Sequence, residues 1–405
     1  MKQERKIANL LLLYLTYIFF YGLIIKASRG MGILFTLKTY VPEIILLFVA
    51  IKCIFTTKSS RVEKFSFVGG FYFLCVLMIG FVFYGISIDA FYLIRDLFMP
   101  IFVGIILARK EFHEETLTRF YSIFLKICMI YLILGAILGI IEYSNGWEWT
   151  SKFYAGHSFY GTDEYTKVII TEAYGQLRAP GLTGNHVSFS YYAMIATIAV
   201  LASKSLGWVK KFIFTVCGIA ILISTTNKTA IVCFAIVLAF YVFRKVGKKW
   251  KFVIMGISGI IAATYLGSHV SSDIFLSTFA RFDFWKTIKD YVNPIEILIP
   301  YNVFSYNPNA SGVISFWDNT YLFLLFTTGL FGVIWIYLFC YKMYKNNRNT
   351  NLQFMFEQMF VFLVLASLFN NITNGRAYFS VFLIINGFYS KAYSINRMDG
   401  EKNAD

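Results

Sequence analysis

Apolar runs long enough to cross a lipid bilayer recur along the whole chain, separated by polar stretches. A membrane-spanning helix needs about 17–25 mostly apolar residues, whereas the strands of a spanning β-barrel appear as shorter segments of alternating hydrophobicity. The pattern therefore predicts an all-α, polytopic membrane protein in which residues 1–405 form a single integral membrane domain with about 12 transmembrane helices. The predicted spans are residues 7–25, 39–55, 65–84, 90–108, 120–141, 186–203, 211–224, 229–243, 251–267, 319–341, 353–371 and 376–393.

The composition agrees with this prediction, because charged residues make up 15% of the chain against roughly 25% in soluble domains. The first span follows the basic leader MKQERK, and no small-residue cleavage site comes after it, so we expect a retained span and not a signal peptide. The sequence contains no CxxC, HExxH, Walker A or GxGxxG pattern, so we expect no cofactor and no ATP-driven pump. The cysteines lie in or beside spans, where we expect small apolar residues without a disulfide or metal site. They are Cys53, Cys75, Cys128, Cys217, Cys233 and Cys340.

Lysine and arginine are distributed unevenly between alternate connections. With the N-terminus placed in the cytoplasm, most of the 37 Lys and Arg residues fall in the termini or in connections on that side. The positive-inside rule therefore predicts cytoplasmic N- and C-termini and two large extracytoplasmic loops, residues 142–185 and 268–318. The net charge of +15 is then mostly a signal of topology and of contact with membrane lipids, and we expect no nucleic-acid partner.

The two large loops exceed the usual length of connections in compact proteins, and such loops commonly carry function. They contain many Tyr and Phe residues together with Trp147, Trp149, Trp285 and Trp317. These aromatic side chains are either anchors at the membrane interface or stacking platforms for sugar rings.

The sequence RAPGLTGN ends the first loop and leads directly into a span. Thr183 and Asn185 are good N-cap residues, and Gly181 and Gly184 would allow the backbone to approach a ligand closely. A helix N-terminus favours phosphate groups, and the planar fork of Arg178 matches their oxygens. The segment is either a phosphate-binding site or an ordinary helix cap beside an arginine that contacts lipid headgroups.

Other basic residues lie at helix mouths on the same side. Lys228 starts a helix in the sequence STTNKTA, Arg281 lies in the second loop, and Arg376 ends the short turn NNITNGR. Their positions favour an anionic ligand at the outer face, because fixed cations stabilise phosphate oxygens.

Arg95 is a charge inside a span, and such charges are usually functional or paired. It lies about five residues, or roughly 8 Å, from the outer end of its span. We expect it either to face the outer site or to pair with Glu43 at a similar depth in another span, while Asp96 points elsewhere on the helix. Lys126 and Glu357 lie near cytoplasmic ends, where they can reach the interface.

Acidic residues on the outer side provide candidates for a general base. Asp318 precedes a late span in the sequence DNTYLFLLFTTGLFG, and Glu172 and Asp283 lie in the loops. Asp318 is the first choice as base, although it would also serve as the N-cap of its helix. Glu172 and His186 are the secondary candidates.

In these motifs the chain resembles the superfamily of bacterial O-antigen polymerases (Wzy-type) and O-antigen ligases. The matching pieces are RAPGLTGN, STTNKTA, RFDFW in the second loop and DNTYLFLLFTTGLFG, which follow one another within residues 90–345. The resemblance implies a metal-independent glycosyltransferase, without a cofactor, in the bacterial cytoplasmic (inner) membrane. Its donor would be an O-antigen or capsule repeat unit on undecaprenyl diphosphate, and its acceptor a second lipid-linked unit.

Functional arginines of the family correspond by motif position to Arg178 and Arg281, which we expect to clamp the donor diphosphate while Asp318 acts as base. Lys228 stands where the family usually has arginine. The ligase branch typically has His-Asn where this chain has Asp318-Asn319, which favours a polymerase. The further expected diphosphate-binding residues are Lys228, Arg95, Arg376 and Asn185.

A flippase for lipid-linked oligosaccharides is the main alternative, because it too would have about 12 spans and basic residues for a diphosphate. Transporters are commonly built on internal repeats, and the two halves of this chain show none. An O-antigen ligase and a purely structural membrane protein are the other possibilities. A chain-length regulator and a flippase would be the protein partners of a polymerase.

Overall fold

The computed structural model describes residues 2–27, 40–56, 64–85, 88–153, 172–173, 176–243, 294–298, 300, 319–347, 351–370, 372 and 378–390. Helices dominate this part of the chain, because backbone groups in apolar segments must hydrogen-bond within the segment once water is excluded. The helices are α1 (Lys2–Phe19), α2 (Tyr21–Ala27), α3 (Val41–Thr56), α4 (Lys64–Tyr84), α5 (Ile88–Leu93), α6 (Met99–Arg109), α7 (Glu114–Phe153), α8 (His186–Ala202), α9 (Trp208–Thr225), α10 (Lys228–Val242), α11 (Pro294–Leu298), α12 (Thr320–Asn346), α13 (Gln353–Phe369) and α14 (Tyr378–Tyr389). The smaller elements are a π-helical turn (Ile94–Phe98) between α5 and α6, a 3₁₀ turn (Gly181–Thr183) before α8, and the antiparallel strand pair β1 (Glu172–Ala173) and β2 (Gln176–Leu177).

The predicted structural class, an all-α membrane protein, is confirmed. A helix lies at every predicted span except 251–267, which is outside the described residues. Within the described part of the chain, α4, α7, α9 and α12 are long and apolar enough to cross a membrane, while α8, α10, α13 and α14 are shorter apolar helices. The largest difference in bounds is at α7, which continues past the predicted start of the first loop as far as Phe153.

Large apolar side chains lie on the outside of the helix bundle. Phe55 is 85% exposed, Trp208 79% and Val82 76%. Soluble proteins rarely expose large continuous apolar surfaces, so lipid is the surrounding medium that fits this bundle. All six cysteines are free thiols within helices.

Side-chain contacts join one set of helix ends into a surface that we call the basic end. Glu4 accepts a hydrogen bond from His113 N at 3.0 Å, and Arg5 Nη2 lies 2.5 Å from Glu115 Oε1. Burial would raise the pKa of the Glu4 carboxyl, but hydrogen bonds from His113 hold it below its usual value. Further hydrogen bonds at this end join Tyr389 to Leu117, Asn346 to Ser390 and Lys204 to Asn351. These segments are connections or termini that the sequence assigns to one side of the membrane.

Glycines interrupt two of the long helices. Gly146 in α7 has φ 69° and Gly329 in α12 has φ 68°, a backbone conformation that side-chain-bearing residues rarely adopt. Beside the second break the Tyr72 hydroxyl donates to the Thr328 carbonyl at 2.6 Å. The segment of α12 before Gly329 therefore forms a separate half-helix that begins after Asn319.

Candidate functional site

The candidate site is built on residues 178–185, which we call the strap and which connect β2 to α8. Most of the strap is buried. Ala179 N donates to the carbonyl of Ser224, at the end of α9, at 2.9 Å. Gly181 N donates to Glu142 Oε2 of α7 at 2.8 Å. Two neighbouring helices therefore hold the strap before the chain enters α8.

The glycines of the strap and of α2 allow close packing within the protein. A Cβ added at Gly22 of α2 would lie 2.5 Å from Gly184 N, so the two backbones touch. Gly181 has φ 55° and lies against the ring of Phe189, whose Cε1 would be 2.1 Å from an added Cβ. The expectation that Gly181 opens the backbone to a ligand is corrected here, because the Phe189 ring fills the space beside it, while a Cβ added at Gly184 would have ordinary contact with Gly22 Cα at 3.4 Å.

Replacing Gly22 by alanine will lower the apparent melting temperature of the purified protein. The new Cβ meets strap backbone, which cannot rotate away as a side chain would, and overpacking of this kind costs about 1–3 kcal/mol. Gly70→Ala in α4 is the matched control, because a Cβ there has ordinary contact at 3.9 Å with Ile105. Equal melting temperatures for the two variants would contradict the tight contact between α2 and the strap.

Asn185 is the N-cap of α8, as its residue type predicts. Its Oδ1 accepts from Val187 N at 2.9 Å and from Ser188 N at 3.1 Å. Thr183 supports the turn, since its hydroxyl donates to the Asn185 carbonyl at 2.8 Å. The cap thus occupies N–H groups that a phosphate would otherwise bind. This favours a structural role for Asn185. The Arg178 side chain remains as the part of the strap that suits an anion.

The turn STTNKTA lies against the strap, on the side where the sequence places both. Asn227 caps α10 by accepting from Ala230 N at 3.3 Å, and its Nδ2 donates to Ser190 Oγ of α8 at 2.8 Å. The starts of α8 and α10 are thereby joined. Lys228 is the first residue of α10 and is exposed. A lysine at a helix N-terminus is repelled by the helix dipole, which costs about 0.3–1 kcal/mol of stability. An anion bound there would be attracted by both the lysine and the dipole.

Arg178 and His186 meet at the start of α8. Arg178 is half-buried, and its Nη1 lies 3.4 Å from His186 Nε2. A guanidinium N–H can only donate, so Nε2 is assigned as the acceptor and the proton of a neutral imidazole as lying on Nδ1. This arrangement favours His186 as a partner that orients Arg178 over His186 as a base.

Glu142 is a site residue that sequence reasoning missed. It lies at the predicted start of the first loop, but the structure places it within α7, 0% exposed and bonded to the strap. The signal that was available is a single acid ending an apolar run, ILGIIEYSNGW. Such an acid is costly in a membrane protein unless its oxygens find partners.

The structure pairs Arg95 with its neighbour Asp96. Arg95 Nε lies 2.6 Å from Asp96 Oδ1 and Nη2 lies 2.8 Å from Oδ2, with side chains 14% and 13% exposed. The prediction that Asp96 points elsewhere is wrong, because the two adjacent side chains meet within the π-helical turn. The bidentate pair offsets the cost of a charge inside the bundle.

Asn319, and not Asp318, is the N-cap of α12. Its Oδ1 accepts from Leu322 N at 3.0 Å, and its Nδ2 donates to the Leu368 carbonyl, near the end of α13, at 3.3 Å. The interpretation of Asp318 as a cap is therefore corrected by one residue. This removes a structural reason for a carboxylate at position 318.

The start of α12 lies at the same end of the bundle as the strap, which we call the strap end. Tyr191, near the start of α8, packs against Phe362 of α13 and Tyr378 of α14 with ring centroids 5.2 and 6.4 Å apart. Thr320 at the start of α12 donates to the carbonyl of Asn370, just after α13, at 2.6 Å. The N-cap residue Asn319 therefore lies at the end of the bundle that carries Arg178.

Several predicted site residues lie outside the described residues. They are Asp318, Arg281, Arg376 and Asp283, together with Trp285 and Trp317 of the second loop. Glu172 lies in β1 opposite Leu177, and its side chain is also outside what the structure describes.

Comparison of the chain with protein-family models and with curated proteins finds no match. Function is therefore inferred from the chemistry of the strap end and from the resemblance of the motifs.

Proposed function

We propose that the protein is a polysaccharide polymerase, which transfers a glycan from an undecaprenyl-diphosphate donor to a lipid-linked acceptor on the outer face of the bacterial cytoplasmic membrane. The observation that carries the proposal is the contact between the strap and the STTNKTA turn. This contact puts a half-buried arginine and the lysine-bearing start of α10 at one end of an apolar bundle. Basic side chains and a helix start suit a diphosphate attached to a membrane lipid.

In this proposal all twelve predicted spans cross the membrane, with the basic end in the cytoplasm and the strap end outside. The Lys and Arg distribution supports this orientation. The hydrogen bonds from His113 to Glu4, from Lys204 to Asn351 and from Asn346 to Ser390 support the grouping of the cytoplasmic connections. Residues 142–185 and 268–318 are the extracytoplasmic loops of this proposal.

Glycosyl transfer breaks the bond between the anomeric carbon and the diphosphate oxygen, and the acceptor hydroxyl oxygen forms the new bond. Negative charge develops on the departing lipid diphosphate. Arg178 and Arg281, helped by Lys228, stabilise that charge in a water-poor site. Asp318 accepts the proton of the acceptor hydroxyl. Arg95 contributes less directly, since it is bonded to Asp96.

The topology predicts that cysteines introduced at Ser158 and Ser305 will react with a membrane-impermeant thiol reagent in cells whose outer barrier is permeable. Ser205→Cys, exposed at the basic end, is the matched control and should react only after the cytoplasmic membrane is opened. The parent, with its six native cysteines, sets the background. Labelling of Ser158→Cys and Ser305→Cys only after lysis would reverse the orientation and exclude an outer-face site.

The proposal is tested by analysing the surface glycan and the lipid-linked intermediates of a strain that lacks the gene. Loss of a polymerase leaves single repeat units on the surface, and the parent gene restores long chains. Loss of a flippase instead leaves no surface glycan, while loss of a ligase leaves long chains on the carrier lipid. Either of these last two patterns would contradict a polymerase.

A further inference from the structure

We propose that Glu142 is a positioning residue for Arg178: it holds the strap at Gly181 and so fixes where the Arg178 guanidinium meets a lipid diphosphate. The inference rests on the proposed function, because it takes the diphosphate as the ligand of Arg178. It assigns a role to an acid that the proposed chemistry does not use.

The burial of Glu142 is the first observation. The residue is 0% exposed within a membrane-embedded helix, and its Oε2 accepts from Gly181 N at 2.8 Å. A carboxylate in such a place destabilises the bundle unless hydrogen bonds compensate for its lost hydration. An apolar residue would pack in α7 without that cost. The hydrogen bond from Gly181 N to Glu142 therefore gives this buried acid a role in holding the strap.

The second observation is the spacing of the anchors along the strap. Ala179 N is bonded to the Ser224 carbonyl and Gly181 N to Glu142, so the anchors follow Arg178 by one and three residues. The Phe189 ring lies against Gly181 and leaves no room for a side chain. The backbone beside Arg178 cannot shift without breaking one of these contacts.

The third observation concerns the other end of the Arg178 side chain. Its Nη1 lies 3.4 Å from His186 Nε2, and His186 begins α8 immediately after the strap. Glu142 thus fixes the backbone near Arg178 and His186 orients the guanidinium. A misplacement of about 1 Å in such a group lowers the rate by around a hundredfold, so the anchor has a measurable consequence.

The test uses two substitutions that differ in one respect. Glu142→Gln keeps an oxygen that accepts from Gly181 N, whereas Glu142→Leu removes the acceptor at similar volume. Binding of undecaprenyl diphosphate without a glycan is measured on the full-length protein in detergent, together with KM and kcat for a lipid-linked repeat unit. The leucine variant should weaken binding and lower kcat/KM by about tenfold or more, with a fall in kcat as well, and the glutamine variant should stay within about threefold for both. Glu148→Leu, which replaces an exposed acid of the same helix, is the control and should leave binding unchanged.

A double-mutant cycle separates positioning from general damage to the fold. In an Arg178→Ala background, Glu142→Leu should reduce binding by less than about twofold, because a residue that acts through Arg178 has no further effect once the guanidinium is gone. Hydrogen exchange should show that the Gly181 amide loses protection in the leucine variant and keeps it in the glutamine variant. Additive losses in the cycle, or equal losses for Gln and Leu, would overturn the role of Glu142 while leaving the polymerase proposal intact. A parent protein that does not bind undecaprenyl diphosphate would overturn the proposed function and this inference together.

Discussion

The variant Asp318→Asn will insert and fold like the parent but form polymer about 100- to 10,000-fold more slowly, the usual contribution of a general base. The cap of α12 is Asn319, which accepts from Leu322 N at 3.0 Å, so an asparagine at position 318 removes a carboxylate without disturbing the cap. The rate is measured as growth of lipid-linked chains at matched membrane expression, and the melting temperature is measured on the same preparations.

Asn319→Ala is the matched control for the Asp318 substitution. It removes the cap and should cost about 0.5–2 kcal/mol of stability, so its melting temperature falls while Asp318→Asn keeps that of the parent. Polymer formation by Asp318→Asn at the parental rate would mean that the base lies elsewhere, with Glu172 the next residue to replace.

Arg178→Lys and Arg281→Lys will each reduce polymer formation by roughly tenfold to more than a hundredfold, as expected for a charged hydrogen bond made in the transition state. Lysine keeps the positive charge but loses the planar fork that contacts two phosphate oxygens at once. The effect is measured as the amount and length of polymer in a strain that lacks the gene and carries each variant.

Arg244→Lys and Arg348→Lys are the controls for the arginine substitutions, because these residues lie in connections that the sequence assigns to the cytoplasm. These arginines contribute to the membrane topology together with the other basic residues, so each single variant should form polymer like the parent. Near-parental product from both Arg178→Lys and Arg281→Lys would exclude a guanidinium clamp and leave these arginines as lipid-headgroup or packing contacts.

The helices could be located from the sequence because each apolar run must satisfy its own backbone within the membrane. Predicted spans 186–203, 211–224 and 229–243 differ from α8, α9 and α10 by three residues or fewer at each end. The cap at Asn185 followed from its residue type, since an Asn side chain at a helix start accepts from the next N–H groups. Local chemistry and the length of apolar runs were sufficient for these features.

Contacts between distant segments could not be predicted in the same way. Glu142 and Gly181 are 39 positions apart, and the touching backbones of Gly22 and Gly184 lie on different elements. An apolar run predicts a helix but not which helices pack together, because lipid-facing and protein-facing residues are equally apolar. The strap was therefore interpreted as open to a ligand, whereas α2, α7 and Phe189 cover its backbone and leave the Arg178 side chain half-buried beside His186.

The most direct test of the account is to incubate the purified protein, in lipid bilayers, with lipid-linked repeat units as the sole substrate. A polymerase yields a ladder of glycans that differ by one repeat unit and releases one undecaprenyl diphosphate for each unit added. Arg178→Ala, at the same protein concentration, should yield no ladder. Repeat units that stay at their original length with folded parent protein, or that only change sides of the bilayer, would contradict the proposal that this protein joins glycans.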